Sequence, residues 1–116
     1  MNLTEAVYGL TKHFPRDEIY GLTSQMKRAA VSVPSNIAEG YGRGGRDYER
    51  FIGMAYGSLL ELETQAELAG RLGLAPTDQV EPFLTRTASV GRGGLRERKW
   101  PERPVKLRTL TIIAIL

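Results

Sequence analysis

The sequence predicts an all-α protein, an up-and-down four-helix bundle with a proline break in helix 2 and an irregular C-terminal tail. Three observations carry this prediction. Apolar residues recur at steps of three and four through most of residues 3–90, short connections bearing glycine or proline separate the periodic stretches, and no stretch alternates as a strand does. With 116 residues, 41% apolar and 25% charged, the chain has an ordinary composition for one soluble domain with a single core.

The first helix is expected at about 2–13, where Leu3, Ala6, Val7 and Leu10 make one face before Phe14-Pro15 turns the chain. The second, about 16–41, is marked by Leu22, Met26, Ala29, Val33 and Ile37. Pro34 interrupts it. A proline there has no N–H for the Ala30 carbonyl and pushes Val33 away from helical angles. A kink or short break is therefore expected, recapped locally by Ser32 or Ser35.

The third helix, 45–72, carries the clearest pattern. Tyr48, Ile52, Ala55, Leu59, Leu62, Ala66 and Ala69 alternate steps of four and three, and Phe51, Leu60 and Leu68 widen the stripe. Glu61, Glu63, Glu67 and Arg71 mostly fall off it. Gly73 suits a left-handed cap with Leu74 folding back, and Pro76 forbids continuation. The fourth helix, 78–97, is expected to begin at Asp78 with Glu81 as its capping partner and Pro82 in its first turn. Val80, Phe83, Leu84, Thr87, Val90 and Leu95 face inward, while Gly91, Gly93 and Gly94 each weaken it by roughly 1 kcal/mol relative to alanine. The bundle thus spans 1–98. Residues 99–116 form a basic and then apolar tail ending in TLTIIAIL, an uncharged segment of high β-propensity.

Charge and cysteine content bound the function. The chain has no cysteine, which rules out disulfides and thiolate metal sites and fits a reducing cytoplasm. The opening MNLTEAVYGLTK is amphipathic and carries Glu5, unlike a secretory leader. TLTIIAIL is far shorter than the roughly 20 residues that span a bilayer. A soluble cytoplasmic protein is expected. The net charge of +3 is uneven: residues 84–116 hold eight basic and two acidic side chains, residues 1–83 eight basic and eleven acidic. A basic end on an acidic body suits either a polyanion contact or a solvated tail.

Gly40, Gly42 and Gly45 spell G-x-G-x-x-G before a helix, the spacing of a dinucleotide-binding turn. That turn needs a buried strand before it and a βαβ repeat around it, whereas VSVPSNIAE precedes it here. The glycines read better as a helix stop and start, Gly40 or Gly42 capping one helix and Gly44-Gly45 opening the turn. Catalytic signatures are thin. His13 is the only histidine and sits at a helix end; there is no Glu-x-x-His pair for a di-iron bundle and no G-x-S-x-G elbow. No cofactor, metal or catalytic residue is expected. What remains is a basic cluster: Arg43, Arg46 and Arg50 around the central turn, with Lys27 and Arg28 on the preceding helix. Arg46 and Arg50 share a helical face and suit neighbouring phosphates, and Tyr41 and Tyr48 offer rings for base stacking. Asp47 and Glu49, interleaved with them, oppose that reading.

The stretches LTSQ, RAAVSVPSNIAEG and GSLLELETQ, within Tyr20 to Leu74, resemble the small four-helix-bundle proteins encoded in intervening sequences of large-subunit ribosomal RNA genes. Those are in turn similar to the accessory variability proteins of diversity-generating retroelements. The resemblance implies an up-and-down bundle broken near the proline and a homo-oligomer, a pentamer in the retroelement relatives. It further implies basic surfaces for RNA or DNA, a reverse transcriptase as partner, and no enzymatic activity. Pro34, Ser35, Asn36, Glu39 and Gly40 stand where the family has its motif; they read as structural, with Asn36 and Glu39 hydrogen-bonding across the break or between subunits. The chain departs from relatives in its short opening and after Val90. The expected function is a non-catalytic oligomer that binds nucleic acid. The alternative is a protein-interaction module with no nucleic acid.

Overall fold

In the computed structural model, which describes residues 2–91, four helices follow one another: α1 (Leu3–Thr11), α2 (Leu22–Arg43), α3 (Gly45–Arg71) and α4 (Thr77–Val90). A single 3-10 turn, Arg16–Glu18, lies between α1 and α2. Each helix packs on its sequence neighbour, and α1 also meets α4, so the four close into a ring. The α2–α3 pairing is the most extensive. This is the up-and-down four-helix bundle that the periodicity implies.

The core follows the α3 pattern residue by residue. All seven positions of its stripe, Tyr48 to Ala69, are buried, as is Phe51. Met26, Ala29, Val33 and Ile37 of α2, Leu3, Val7 and Leu10 of α1, and Val80, Phe83 and Thr87 of α4 complete it. Leu60 and Leu68 do not widen the stripe inward; they are 44% and 46% exposed. Both lie on the solvent side of α3.

Helix ends differ from expectation in physically legible ways. The side-chain oxygen of Asn2 accepts the Glu5 N–H at 2.9 Å, and its amide donates back to the Glu5 carboxylate, so α1 opens on a reciprocal cap. The second helix begins at Leu22 rather than near 16, because the Glu18 carboxylate reaches the Leu22 N–H at 3.3 Å after the separate 3-10 turn. Pro34 does not break α2, which runs through it to Arg43. A proline in a helix interior, which loses one hydrogen bond and crowds the carbonyl four residues back, costs about 3 kcal/mol. Burial of Val33 and Ile37 contributes roughly 1.5–3 kcal/mol each, so packing outweighs the defect. Ser32 and Ser35 accordingly do not recap the chain.

At Gly73, φ is 71°, Leu74 N–H donates to Ala69 O at 3.0 Å and Gly73 N–H donates to Gly70 O at 3.2 Å. These are the two bonds of a Schellman cap, as the sequence suggests. In α4 the Asp78–Glu81 capping pair is not formed: Pro76 is the N-cap residue and no side chain caps the helix. Pro82 lies five residues past the first helical residue, beyond the first turn. Leu95 and the expected tail lie outside the described residues. Among the described residues, no helix is long and apolar enough to cross a membrane.

Candidate interaction surface

The G-x-G-x-x-G spacing resolves into three different positions. Gly40 and Gly42 lie inside α2 and cap nothing; the α2–α3 junction is Gly44 alone, with φ 65° and ψ −177°. Gly45 follows at φ 53°. Gly40 is a packing residue. A Cβ built on it would lie 3.1 Å from Phe51 Cβ and 3.3 Å from a Tyr48 ring carbon, so α2 and α3 approach closely there. The glycines therefore join two helices rather than a strand and a helix.

Arg43, Arg46 and Arg50 meet at this junction. Arg43 bridges Glu39 at 3.3 Å and Asp47 at 3.6 Å, while Arg50 reaches the same Asp47 at 3.9 Å. Both guanidinium groups also lie about one ring-width from Phe51, at 5.1 and 5.0 Å from its centroid. Arg46 is exposed and makes no ion pair among the described residues. Surface pairs of this kind contribute about 0–1 kcal/mol, so the arginines can re-aim at small cost. Their field is nonetheless balanced locally by Glu39, Asp47 and Glu49.

Lys27 and Arg28 do not join this cluster. They precede Arg43 by more than four helical turns, roughly 23 Å along α2. Lys27 sits over the Tyr8 ring of α1 at 4.5 Å, and Arg28 donates to Ser24 at 3.3 Å. Arg28 also lines a groove of about 260 Å³ between α2 and α3 with Gln25, Ser32, Ser58 and Glu61. Nor does Tyr48 offer a stacking face: it is fully buried, its ring 5.2 Å from that of Tyr41.

The motif residues are mostly intramolecular. Asn36 donates to the Ser32 carbonyl at 2.8 Å and to its hydroxyl at 2.9 Å, and Ser58 donates to the same hydroxyl at 2.9 Å. Asn36 and Ser32 thus tie the turn before Pro34 to α3. Glu39 turns to Arg43, and Ser35 points outward, exposed. His13 is exposed, and among the described residues no group of histidines and carboxylates is arranged to hold a metal ion.

The sequence reading missed the outer side of α3. Gly53, Met54, Gly57, Leu60, Thr64 and Leu68 are exposed there at steps that keep them on one face. The signal lay in two glycines four residues apart inside a strongly periodic helix.

A protein-family model described as 23S rRNA-intervening sequence protein matches residues 1–93. The chain belongs to that family. The match covers the whole described bundle and stops two residues after Gly91, close to the place where the sequence ceases to resemble relatives. No match to a curated protein was found.

Proposed function

We propose that this member of the 23S rRNA-intervening sequence protein family is a non-catalytic assembly module, acting through contacts between its helical surface and other protein chains. The observation that carries this reading is the solvent side of α3, where Met54, Leu60 and Leu68 are 50%, 44% and 46% exposed in a helix whose other face is fully buried. Large apolar side chains grouped on an outer face favour protein contact over water. The charge balance agrees: residues 2–91 hold nine lysines and arginines against eleven aspartates and glutamates, so the bundle has no excess of positive charge for a polyanion.

A second reading, RNA or DNA binding, rests on Arg46, which is exposed between Arg43 and Arg50 and lacks an acidic partner among the described residues. The family's description, 23S rRNA-intervening sequence protein, is compatible with an RNA partner and assigns no function by itself. The resemblance to retroelement accessory proteins adds a reverse transcriptase as partner and five as the subunit number. Light scattering and mobility shift at low salt separate the readings. The assembly reading predicts a mass above one chain with no shift of RNA or DNA. A monomer that shifts RNA, with the shift lost in Arg43→Glu, Arg46→Glu, Arg50→Glu and at raised salt, establishes the second reading instead.

A further inference from the structure

We propose that the groove between α2 and α3, lined by Gln25, Arg28, Ala29, Ser32, Ser58 and Glu61, binds a small zwitterion, a free α-amino acid held by its carboxylate and its ammonium. The two walls differ in chemistry. From α2 comes Arg28, which can only donate, beside the Gln25 amide; from α3 comes the Glu61 carboxylate, which can only accept. These opposite charges do not close on each other. Arg28 lies back along its own helix and donates to Ser24 at 3.3 Å, while Glu61 lies along α3 and accepts the Gln65 amide at 3.1 Å. Neither forms an ion pair among the described residues. Between them the short side chains of Ala29, Ser32 and Ser58 leave a hollow of about 260 Å³. That is just below the pockets of drug-sized ligands and suits a molecule of a few heavy atoms.

The hydrogen bonds around Ser32 complete the donor wall. Its Oγ accepts from Asn36 Nδ2 and from Ser58 Oγ, each at 2.9 Å. A hydroxyl has two lone pairs and one proton, so both acceptor places are filled and the O–H is left to donate. It meets no acceptor among the described residues. Ser32 stands one helical turn after Arg28, on the same face of α2. Together they offer a carboxylate the guanidinium fork and a hydroxyl donor. Across the groove the Gln65 amide holds one oxygen of Glu61 and leaves the other for an ammonium. Gln65 is buried, so this bond anchors the carboxylate from behind. A plain polyanion would bring negative charge onto Glu61, and a plain cation would bring positive charge onto Arg28, so the groove disfavours both. The Asn36–Ser32–Ser58 network thereby gains a task beyond joining two helices: it leaves the Ser32 proton free for the ligand.

The site needs one chain only and is independent of the assembly reading. Titration of the isotope-labelled full chain with L-alanine, followed by amide NMR, tests it. N-acetyl-L-alanine and L-alaninamide serve as the forms that lack the cation and the anion. Saturable shifts at residues 25–32 and 58–65 are expected with L-alanine and with neither blocked form. Arg28→Gln and Glu61→Gln, both at exposed positions, are expected to keep the helical spectrum. Each should weaken binding about tenfold or more, the loss of one charged hydrogen bond. No saturable shift at millimolar L-alanine overturns the proposal. An equal response to N-acetyl-L-alanine, or unchanged binding by Glu61→Gln, reveals a site for carboxylates alone and overturns it too. Shifts confined to other stretches of the chain do the same.

Discussion

Gly40, Gly42 and Gly45 look alike in the sequence, yet each answers to a different constraint. Gly40 is closed in by Phe51 and Tyr48. Gly42 has nothing within 4 Å and ordinary helical geometry; Gly45 has open space but a φ of 53°. Substitutions should therefore separate them. Gly40→Val forces the α2–α3 contact apart and is expected to cost about 2–3 kcal/mol, the range of an overpacked core. Gly42→Ala relieves the helix of a flexible residue and is expected to add up to about 1 kcal/mol. Urea melts of the two variants check this, and a Gly40→Val protein as stable as the wild type would show that the close approach is not needed. The sequence could not distinguish these roles, because spacing reports neither φ nor what stands opposite.

At the scale of the element, periodicity was the legible quantity and helix ends were not. The four-and-three pattern of α3 located every buried apolar position from Tyr48 to Ala69 and missed only the buried Gln65, since a core face needs apolar side chains nearly wherever it turns inward. The same logic assigned Leu60 and Leu68 to the core, because an apolar residue facing a partner and one facing the interior carry the same letter. Of the helix ends, Gly73 was readable because few residues besides glycine accept its φ of 71°. Asp78 was not, because a good capping residue caps only if the helix begins after it. Pro34 misled for a related reason: its local cost is fixed, and the burial that offsets it belongs to the tertiary structure. Gly73→Ala is expected to lose about 1–2 kcal/mol through the left-handed conformation it must keep, read as a fall in melting temperature. An unchanged melting temperature would mean that the cap contributes nothing.

For the whole molecule, the ring of four helices was legible, and the candidate site was legible only in part. Arg43, Arg46 and Arg50 do meet at one junction, as their spacing suggests, but Glu39 and Asp47 meet them there. Lys27 and Arg28 share α2 with Arg43 and stand more than four turns away. Charge counted along a chain does not show which opposite charges fold back onto it. Two of the three junction arginines are therefore paired with acidic groups, and three large apolar side chains, Met54, Leu60 and Leu68, stand exposed together on the outer side of α3. The most direct measurement is the mass of the full chain in solution by light scattering, without nucleic acid. The account predicts a multiple of 12.9 kDa. A mass of one chain at high concentration would contradict it.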